Sequence, residues 1–252
     1  MTDLQSSLLW SFATLPKANS APAENEDALG TSAKLGRFAI ADGASEGWQS
    51  GPWSRSLVKA YLKHVPSPAD FDRWIAHHQK YWAPPDATGP TAWYAEAKRE
   101  QGSFATLLGL AFSQAKSGDG LAWKALAVGD SCLLLVRNGE LQSCWPVETL
   151  AGFHNSPSLL PSSMATQVPE PEWLAGRCYE GDLFLLATDA VAAGLMQMAT
   201  RNLWRSVRTA LSRDGATERT AGLLELIREC QARRNDDVTL LAVAILPLQE
   251  SE

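Results

Sequence analysis

The segment RFAIADGASEG, from Arg37 to Gly47, sets the interpretation of the rest of the chain. Residues 38–41 form a short apolar run that is typical of a buried strand, and Asp42-Gly43 follows at once. A carboxylate at the end of a buried strand is held on rigid backbone. The glycine lets the chain turn sharply and leaves its carbonyl oxygen free to face a ligand. This segment therefore predicts an acidic site at a strand end.

Other acidic positions repeat this arrangement. DLFLLATDA ends near Asp189, RNDDVTLLAVAI places Asp236-Asp237 before an apolar run, and NEDA places Glu26-Asp27 upstream of the first strand. Carboxylates at strand ends, drawn from distant parts of one chain, are expected to form one cluster. Such a cluster is destabilised by like-charge repulsion unless it holds cations. Oxygen ligands of this kind suit Mg²⁺ or Mn²⁺.

Each acidic position also has a purely structural interpretation, and spacing alone does not choose between the two. An aspartate beside glycine is usually a turn residue, as we expect for Asp130 in VGDS. Asp189 could cap the start of the helix that follows it. The pair Asp236-Asp237 could form a surface ion-pair cluster with Arg233-Arg234.

The bulk composition narrows the class of protein. With 252 residues and 45% hydrophobic residues the chain can bury a full core, and no linker divides it, so we expect a single domain over 1–252. The net charge of -6 argues against nucleic acid or an anionic membrane as the main partner. The start MTDLQ lacks the basic residues of a signal peptide, which predicts a cytoplasmic location.

The order of elements favours an α+β layered fold, because strands and helices come in runs. The pattern predicts strands over 8–15, 38–41, 104–112, 121–128, 132–136, 141–145, 183–187 and 238–246. It predicts helices over 52–64, 71–82, 92–100, 190–198, 203–211 and 217–233. Short glycine-bearing turns between residues 104 and 145 predict an antiparallel meander. The proline-rich segment 146–171 is expected to be irregular and could form a flap over the site.

The order of the motifs resembles the metal-dependent type 2C (PPM-type) Ser/Thr protein phosphatases, and most of all their divergent bacterial members. The motifs are NEDA, ADG, GSFATLLGLAF, LAVGDSCLLLVRNGEL, DLFLLATDA and NDDVTLLAVAI, and they cover residues 25–246. The resemblance implies a central antiparallel β-sandwich with α-helices on both outer faces. It also implies hydrolysis of phosphoserine and phosphothreonine by a water activated between two divalent ions. The sequence holds no phosphate-binding P-loop that would indicate another mechanism.

The resemblance assigns roles to the acidic residues. Asp42, Asp189 and Asp236 would be the catalytic carboxylates, with Asp42 bridging two Mn²⁺ or Mg²⁺ ions. The carbonyl oxygen of Gly43 would bind one ion, and Glu26 and Asp27 would act mainly through water on the ions. A third ion is not assigned. The expected partners are a phosphorylated protein and a Ser/Thr kinase system.

Several positions depart from the pattern of that family. The phosphate-binding arginine upstream of NEDA is absent, and only Lys17 precedes that motif as a cation. The other departures are Ala190 for glycine, Cys132 for arginine, Asp237 for asparagine, and Glu100 as the only stand-in for a third-ion aspartate. These changes keep a second hypothesis open, a pseudophosphatase that binds a phosphoprotein or kinase without turnover. An acidic metal nuclease is a third class, which the net negative charge disfavours.

Overall fold

Two five-stranded antiparallel sheets form the centre of the molecule. The computed structural model describes residues 4–84, 98–115, 120–153 and 156–247. The first sheet has the order β1 (Leu8–Leu15), β12 (Val238–Ile245), β11 (Leu183–Ala187), β7 (Cys132–Arg137) and β8 (Glu140–Trp145). The second has the order β10 (Glu172–Arg177), β6 (Leu121–Val128), β5 (Leu107–Gln114), β3 (Arg37–Ala41) and β2 (Ala28–Ser32). The short strands β4 (Phe104–Ala105) and β9 (Leu160–Pro161) pair with each other.

Among the described residues, five helices pack on the outer faces of the two sheets. Two of them, α1 (Ser50–Lys63) and α2 (Phe71–Tyr81), belong to the core on the second sheet. The other three are α3 (Asp189–Gln197), α4 (Arg201–Leu211) and α5 (Ala216–Arg233), and they pack on the first sheet. The predicted α+β sandwich with helices on both sides is therefore confirmed.

Alternation along the central strands explains why they read as continuous apolar runs. In β3, Phe38 and Ile40 enter the core between the sheets, whereas Ala39 and Ala41 face the core under α1. In β12 the residues between the sheets alternate in the same way with residues that face the helices. Both faces of each strand are buried, so neither face needs polar residues.

The predicted meander is wrong at its middle connection. Strands β5 and β6 pair in the second sheet, while β7 and β8 pair in the first, so the chain changes sheets between β6 and β7. Gly129, with φ of +101°, allows this sharp change of direction. The predicted strand 104–112 is split by Thr106 into β4 and β5, and strands β2 and β10 were not predicted.

Most of the predicted helix over 92–100 lies outside the described residues, which resume at position 98. Residues 98–101 are helical. Segment 146–171 is irregular where it is described, apart from one 3-10 turn and β9. Within the described part of the chain, no helix is long and apolar enough to cross a bilayer.

Candidate metal centre

A cavity of about 610 Å³ opens where the ends of several strands meet. Four of the six predicted metal-site residues line it: Asp42, Gly43, Asp189 and Asp236. The rest of its wall comes from the loop after β3, from the segment before β5, and from single residues elsewhere: Asp130, Ser156, Pro157, Leu159 and Arg234. The fold therefore brings together acids that are almost 200 positions apart in sequence, as the strand-end pattern predicts.

The backbone of Asp42 is fixed by Thr106 on the neighbouring strand. The Asp42 N–H donates to Thr106 Oγ1 at 2.9 Å, and the Thr106 N–H donates to the Asp42 carbonyl oxygen at 2.8 Å. Thr106 Oγ1 also lies 2.8 Å from Ser131 Oγ. Because both backbone groups of Asp42 are paired, its carboxylate is presented to the cavity from a rigid position.

Gly43 is packed too tightly for any side chain. A Cβ atom at this position would lie 2.8 Å from the Glu26 carbonyl oxygen and 2.9 Å from the Ser50 carbonyl carbon. Both of these are backbone atoms, which cannot rotate away. The glycine thus lets the Asp42 strand end approach the Glu26 segment and the start of α1.

Asp189 and Asp236 share one cation, Arg234. Arg234 Nη1 lies 2.7 Å from Asp189 Oδ2, and Arg234 Nε lies 3.7 Å from Asp236 Oδ2. The Asp189 Oδ1 atom accepts the Ala190 N–H at 2.6 Å. Asp189 is the first residue of α3, and Thr188 occupies the N-cap position that the structural interpretation gave to Asp189.

Glu26 and Asp27 lie beside the cavity and are not part of its lining. Asp27 is buried, and its Oδ2 accepts from Thr188 Oγ1 at 3.3 Å. Its Oδ1 is buried with no hydrogen-bond partner among the described residues. A buried carboxylate oxygen without a donor is costly, so this atom is suited to a cation or an ordered water.

Burial and mutual repulsion raise the pKa values of the acids. Burial is the largest cause at Asp42, whose pKa lies well above its usual range, and the charges of Asp27 and Asp189 add to it. The pKa of Asp27 is raised to about 8, first by burial and then by nearby carboxylates, against a hydrogen bond from Thr239. Burial also raises the pKa of Asp189, opposed by Arg234. The raised pKa values of these three acids indicate that too little positive charge lies near them in the fold.

Two lysines compensate the Glu26 side of the cluster. Lys17 Nζ lies 3.4 Å from Ser45 Oγ, and Lys98 Nζ donates to the Ser45 carbonyl oxygen at 3.1 Å. Burial raises the pKa of Glu26, while a hydrogen bond from Ser45 and the charge of Lys17 lower it. Lys17 is the only cation that precedes the NEDA motif in the sequence, and its side chain reaches the rim of the cavity.

Asp237 supports the site through its backbone contacts. Its Oδ1 accepts the Lys17 N–H at 2.7 Å, and its Oδ2 accepts the Glu26 N–H at 2.8 Å. A single buried carboxylate thus ties the loop after β1 and the NEDA segment to the start of β12. The neutral Asn expected from the resemblance could not accept both bonds equally well, because it offers only one oxygen.

Sequence reasoning missed two features of the cavity. Asp130 is a turn residue, as predicted, but it is also buried in the cavity wall and raises the pKa of Asp42. Gln101 lines the cavity, whereas the adjacent Glu100 is exposed and is not part of the lining. The VGDS motif could have indicated Asp130, since it ends one buried strand and precedes another.

The oxygen atoms that the cavity offers as ligands are of the kind that hard divalent ions prefer. Among the described residues, no group of three His, Cys, Asp or Glu side chains is spaced to hold an ion as it stands. The side-chain ligands are all carboxylate oxygens, which suit such ions. Asp27 Oδ1 is buried without a hydrogen-bond partner among the described residues, and the raised pKa values of Asp27 and Asp42 are those of acids that lack a nearby cation. Arg234 lies against two of these acids, Asp189 and Asp236, and occupies the place that an ion would take beside them.

Comparison with solved structures identifies the fold. No known protein-family profile matches the sequence. No curated protein matches it either. The Mycobacterium tuberculosis serine/threonine phosphatase PstP/Ppp superposes with a TM-score of 0.63 at 18% identity, covering 96% of this chain and 100% of that one.

Two further structures agree with this result. The catalytic domain of the phosphatase PstP in complex with two manganese ions gives a TM-score of 0.62 at 18% identity, covering 96% of this chain and 100% of that one. PppA of Pseudomonas aeruginosa, a regulatory component of T6SS, gives 0.58 at 19% identity, covering 95% and 98%. The chain therefore has the PPM phosphatase fold, and the resemblance inferred from the motifs is confirmed at the level of fold.

Proposed function

We propose that this protein is a metal-dependent Ser/Thr protein phosphatase of PPM type, formed by one domain over residues 1–252. The observation that carries the proposal is the convergence of Asp42, Asp189 and Asp236 on one cavity, with Asp27 directly behind them. The raised pKa values of Asp27 and Asp42 support a need for bound cations at these two acids. In a chain with the fold of metal-dependent phosphatases, such an acidic cluster would bind the metal ions of the active site.

The residues proposed to hold two Mn²⁺ or Mg²⁺ ions are those predicted from the sequence: Glu26, Asp27, Asp42, the carbonyl oxygen of Gly43, Asp189 and Asp236. When bound, such ions would supply a water of lowered pKa and would offset charge on phosphoryl oxygens. Thr106 fixes Asp42, and Asp237 positions the backbone of Glu26. A third ion has no assigned ligand.

The substrate proposed is a phosphorylated protein, and the activity would oppose a Ser/Thr kinase in signalling within the cytoplasm. A phosphoserine side chain carries close to two negative charges. Lys17 and Lys98 meet at Ser45 on the cavity rim, where their ammonium groups would attract the phosphate. They replace the missing arginine only as point charges, without its bidentate geometry.

The test is hydrolysis of a phosphothreonine peptide with Mn²⁺ and then with chelator, in wild type and in Asp42→Asn and Asp189→Asn. Both variants should lose activity by at least about a hundredfold, since losing an outer partner of a metal ligand already costs about 10–100-fold. Asp214→Asn, the same change at an exposed site outside the cavity, is the matched control and should keep full activity. Retained activity in either cavity variant would refute the assigned roles.

A pseudophosphatase is the second candidate, and one contact favours it. The guanidinium of Arg234 lies against Asp189, where an ion would otherwise be bound. If this contact is permanent, the protein would bind phosphoproteins without hydrolysis. Calorimetric titration with Mn²⁺ distinguishes the two: saturable binding together with turnover supports the enzyme, and no binding supports the pseudophosphatase.

A further inference from the structure

Arg234 joins two connections at the edge of the sandwich. It follows α5 directly, and its N–H donates to the Cys230 carbonyl oxygen at 3.3 Å, so its backbone is anchored. Its guanidinium contacts Asp189, which follows β11, and faces Asp236, which precedes β12. The side chain is 39% exposed. It can therefore swing toward solvent without a change in the backbone.

Both carboxylate oxygens of Asp189 are engaged in this arrangement. The Ala190 N–H donates to Oδ1 at 2.6 Å, and Arg234 Nη1 lies 2.7 Å from Oδ2. A charge-assisted bond of this length, to a carboxylate that is mostly buried, is among the stronger contacts in proteins. An ion that takes Asp189 as a ligand must first displace the guanidinium.

The other half of the cluster has no such cation. Within the described residues, no Lys, Arg or His forms an ion pair with Asp27 or Asp42. Of these four aspartates, only Asp189 and Asp236 therefore have their charge compensated by an ion pair within the described residues. An ion can reach the Asp27–Asp42 side without breaking a salt bridge, whereas the Asp189–Asp236 side is already occupied by a positive group.

We propose, on the basis of the proposed function, that Arg234 is an internal cation that competes with a divalent ion for Asp189 and Asp236. In the metal-free protein it holds these two carboxylates together. Ion binding exchanges the guanidinium for the metal and releases Arg234 toward the cavity mouth. The two ion positions consequently differ in affinity, and the weaker position is the one that includes Asp189.

The test is calorimetric titration of Mn²⁺ into the full chain as wild type, Arg234→Gln and Arg233→Gln. Arg233 is the matched control, because it carries the same charge one residue away and its Nη1 donates to the exposed Gln197 Oε1 at 3.4 Å, away from the acids of the cavity. Arg234→Gln should tighten the weaker Mn²⁺ site by roughly ten- to hundredfold, as expected for removing a competing charged hydrogen bond. Arg233→Gln should leave both affinities within about twofold.

Thermal unfolding gives a readout that is independent of turnover. Without metal, Arg234→Gln should unfold at a lower temperature than Arg233→Gln, because Asp189 loses its counter-ion. With saturating Mn²⁺ the two variants should converge. If Arg234→Gln does not fold, Arg234→Met replaces it as a second variant without the charge, and a Mn²⁺ affinity equal to wild type in that variant overturns the proposal.

The outcomes separate this inference from the proposed function. Equal Mn²⁺ affinities in wild type, Arg234→Gln and Arg233→Gln overturn the competitor role and leave the phosphatase proposal intact. Absence of Mn²⁺ binding in wild type and in Arg234→Gln overturns both. Binding in Arg234→Gln alone supports the competitor role and shows that wild type is blocked by its own arginine.

Discussion

The two ends of strand β11 carry aspartates in opposite circumstances. Asp182, just before the strand, is fully buried and paired with Arg137, whose Nε and Nη2 donate at 2.7 and 2.8 Å. The Tyr179 N–H gives it a third bond at 2.9 Å. Asp189, beyond the other end, belongs to a group of acids with only one shared arginine. One end of the strand is built for stability, and the other keeps charge that the protein itself does not neutralise.

This contrast separates structural from functional carboxylates by their partners rather than by their burial. A buried acid with a bidentate arginine and a backbone donor has all its requirements met within the fold. A buried acid with an oxygen that lacks a donor, such as Asp27, has a requirement that something outside the chain must meet. Substitutions at the two ends should therefore have opposite consequences for stability and activity.

The largest effect on stability is expected for Arg137→Met, at the structural end. The change leaves Asp182 fully buried without its cation, which should reduce the free energy of unfolding by about 3–5 kcal/mol. Chemical denaturation measures it. Arg205→Met, at an exposed arginine of α4, is the control and should change stability by less than about 0.5 kcal/mol. A loss below about 1 kcal/mol in Arg137→Met would remove the basis of the contrast between the two ends.

An intermediate effect is expected for Gly43→Ala, in the wall of the cavity that also contains Asp189. The new methyl group meets two backbone segments at 2.8–2.9 Å, so the chain must shift, at a cost of about 1–3 kcal/mol. Because the shift moves Asp42, phosphatase activity should fall further than stability does.

The control for this substitution is Gly152→Ala. Its added methyl group meets a γ-methyl group of Val147 at 2.7 Å, and the next nearest atoms are side-chain atoms at 3.9 Å rather than backbone. Denaturation and peptide hydrolysis measured on both variants would show whether the effect belongs to the site. Equal losses of activity in the two variants would contradict a special role for Gly43.

The sequence predicts the functional end better than the connections around it. Apolar runs that end in Asp42 or Asp189 locate strand ends, because a strand buried on both faces has few other places for an acid. The change of sheet after β6 could not be predicted, since Gly129-Asp130 reads as an ordinary hairpin turn. The packing of Phe184 against Phe112 and Trp123 across the interior shows that two sheets face each other there.

Long-range pairing is the other part that the sequence could not provide. The ion-pair interpretation of Arg233-Arg234 with Asp236-Asp237 is correct for one pair, Arg234 with Asp236, at 3.7 Å. The shorter contact is with Asp189, 45 positions earlier, and no local pattern connects the two. Similarly, Lys17 and Lys98 have no sequence signal that brings them to the same serine.

A stability effect of opposite sign is expected for Asp27→Asn in chelator-treated protein. The pKa of Asp27 is about 8 in the folded protein, against about 3.9 for an unperturbed aspartate. Between these values the folded state binds more protons than the unfolded state. This contribution to stability is therefore complete below about pH 4 and is lost as the pH rises through 8. Asparagine does not titrate, so the Asp27→Asn variant does not lose stability through this position as the pH rises.

The measurement is the unfolding temperature of wild type and Asp27→Asn at pH 5, 6.5 and 8, each with chelator and with Mn²⁺. Without metal, the variant should gain on wild type as the pH rises, because wild type must keep an ionising carboxyl buried. With Mn²⁺ the order should reverse, since an ion that binds only the folded state stabilises wild type more. Parallel curves under both conditions would mean that the charge of Asp27 is compensated inside the fold, as that of Asp182 is, and would contradict the contrast between the two ends of β11.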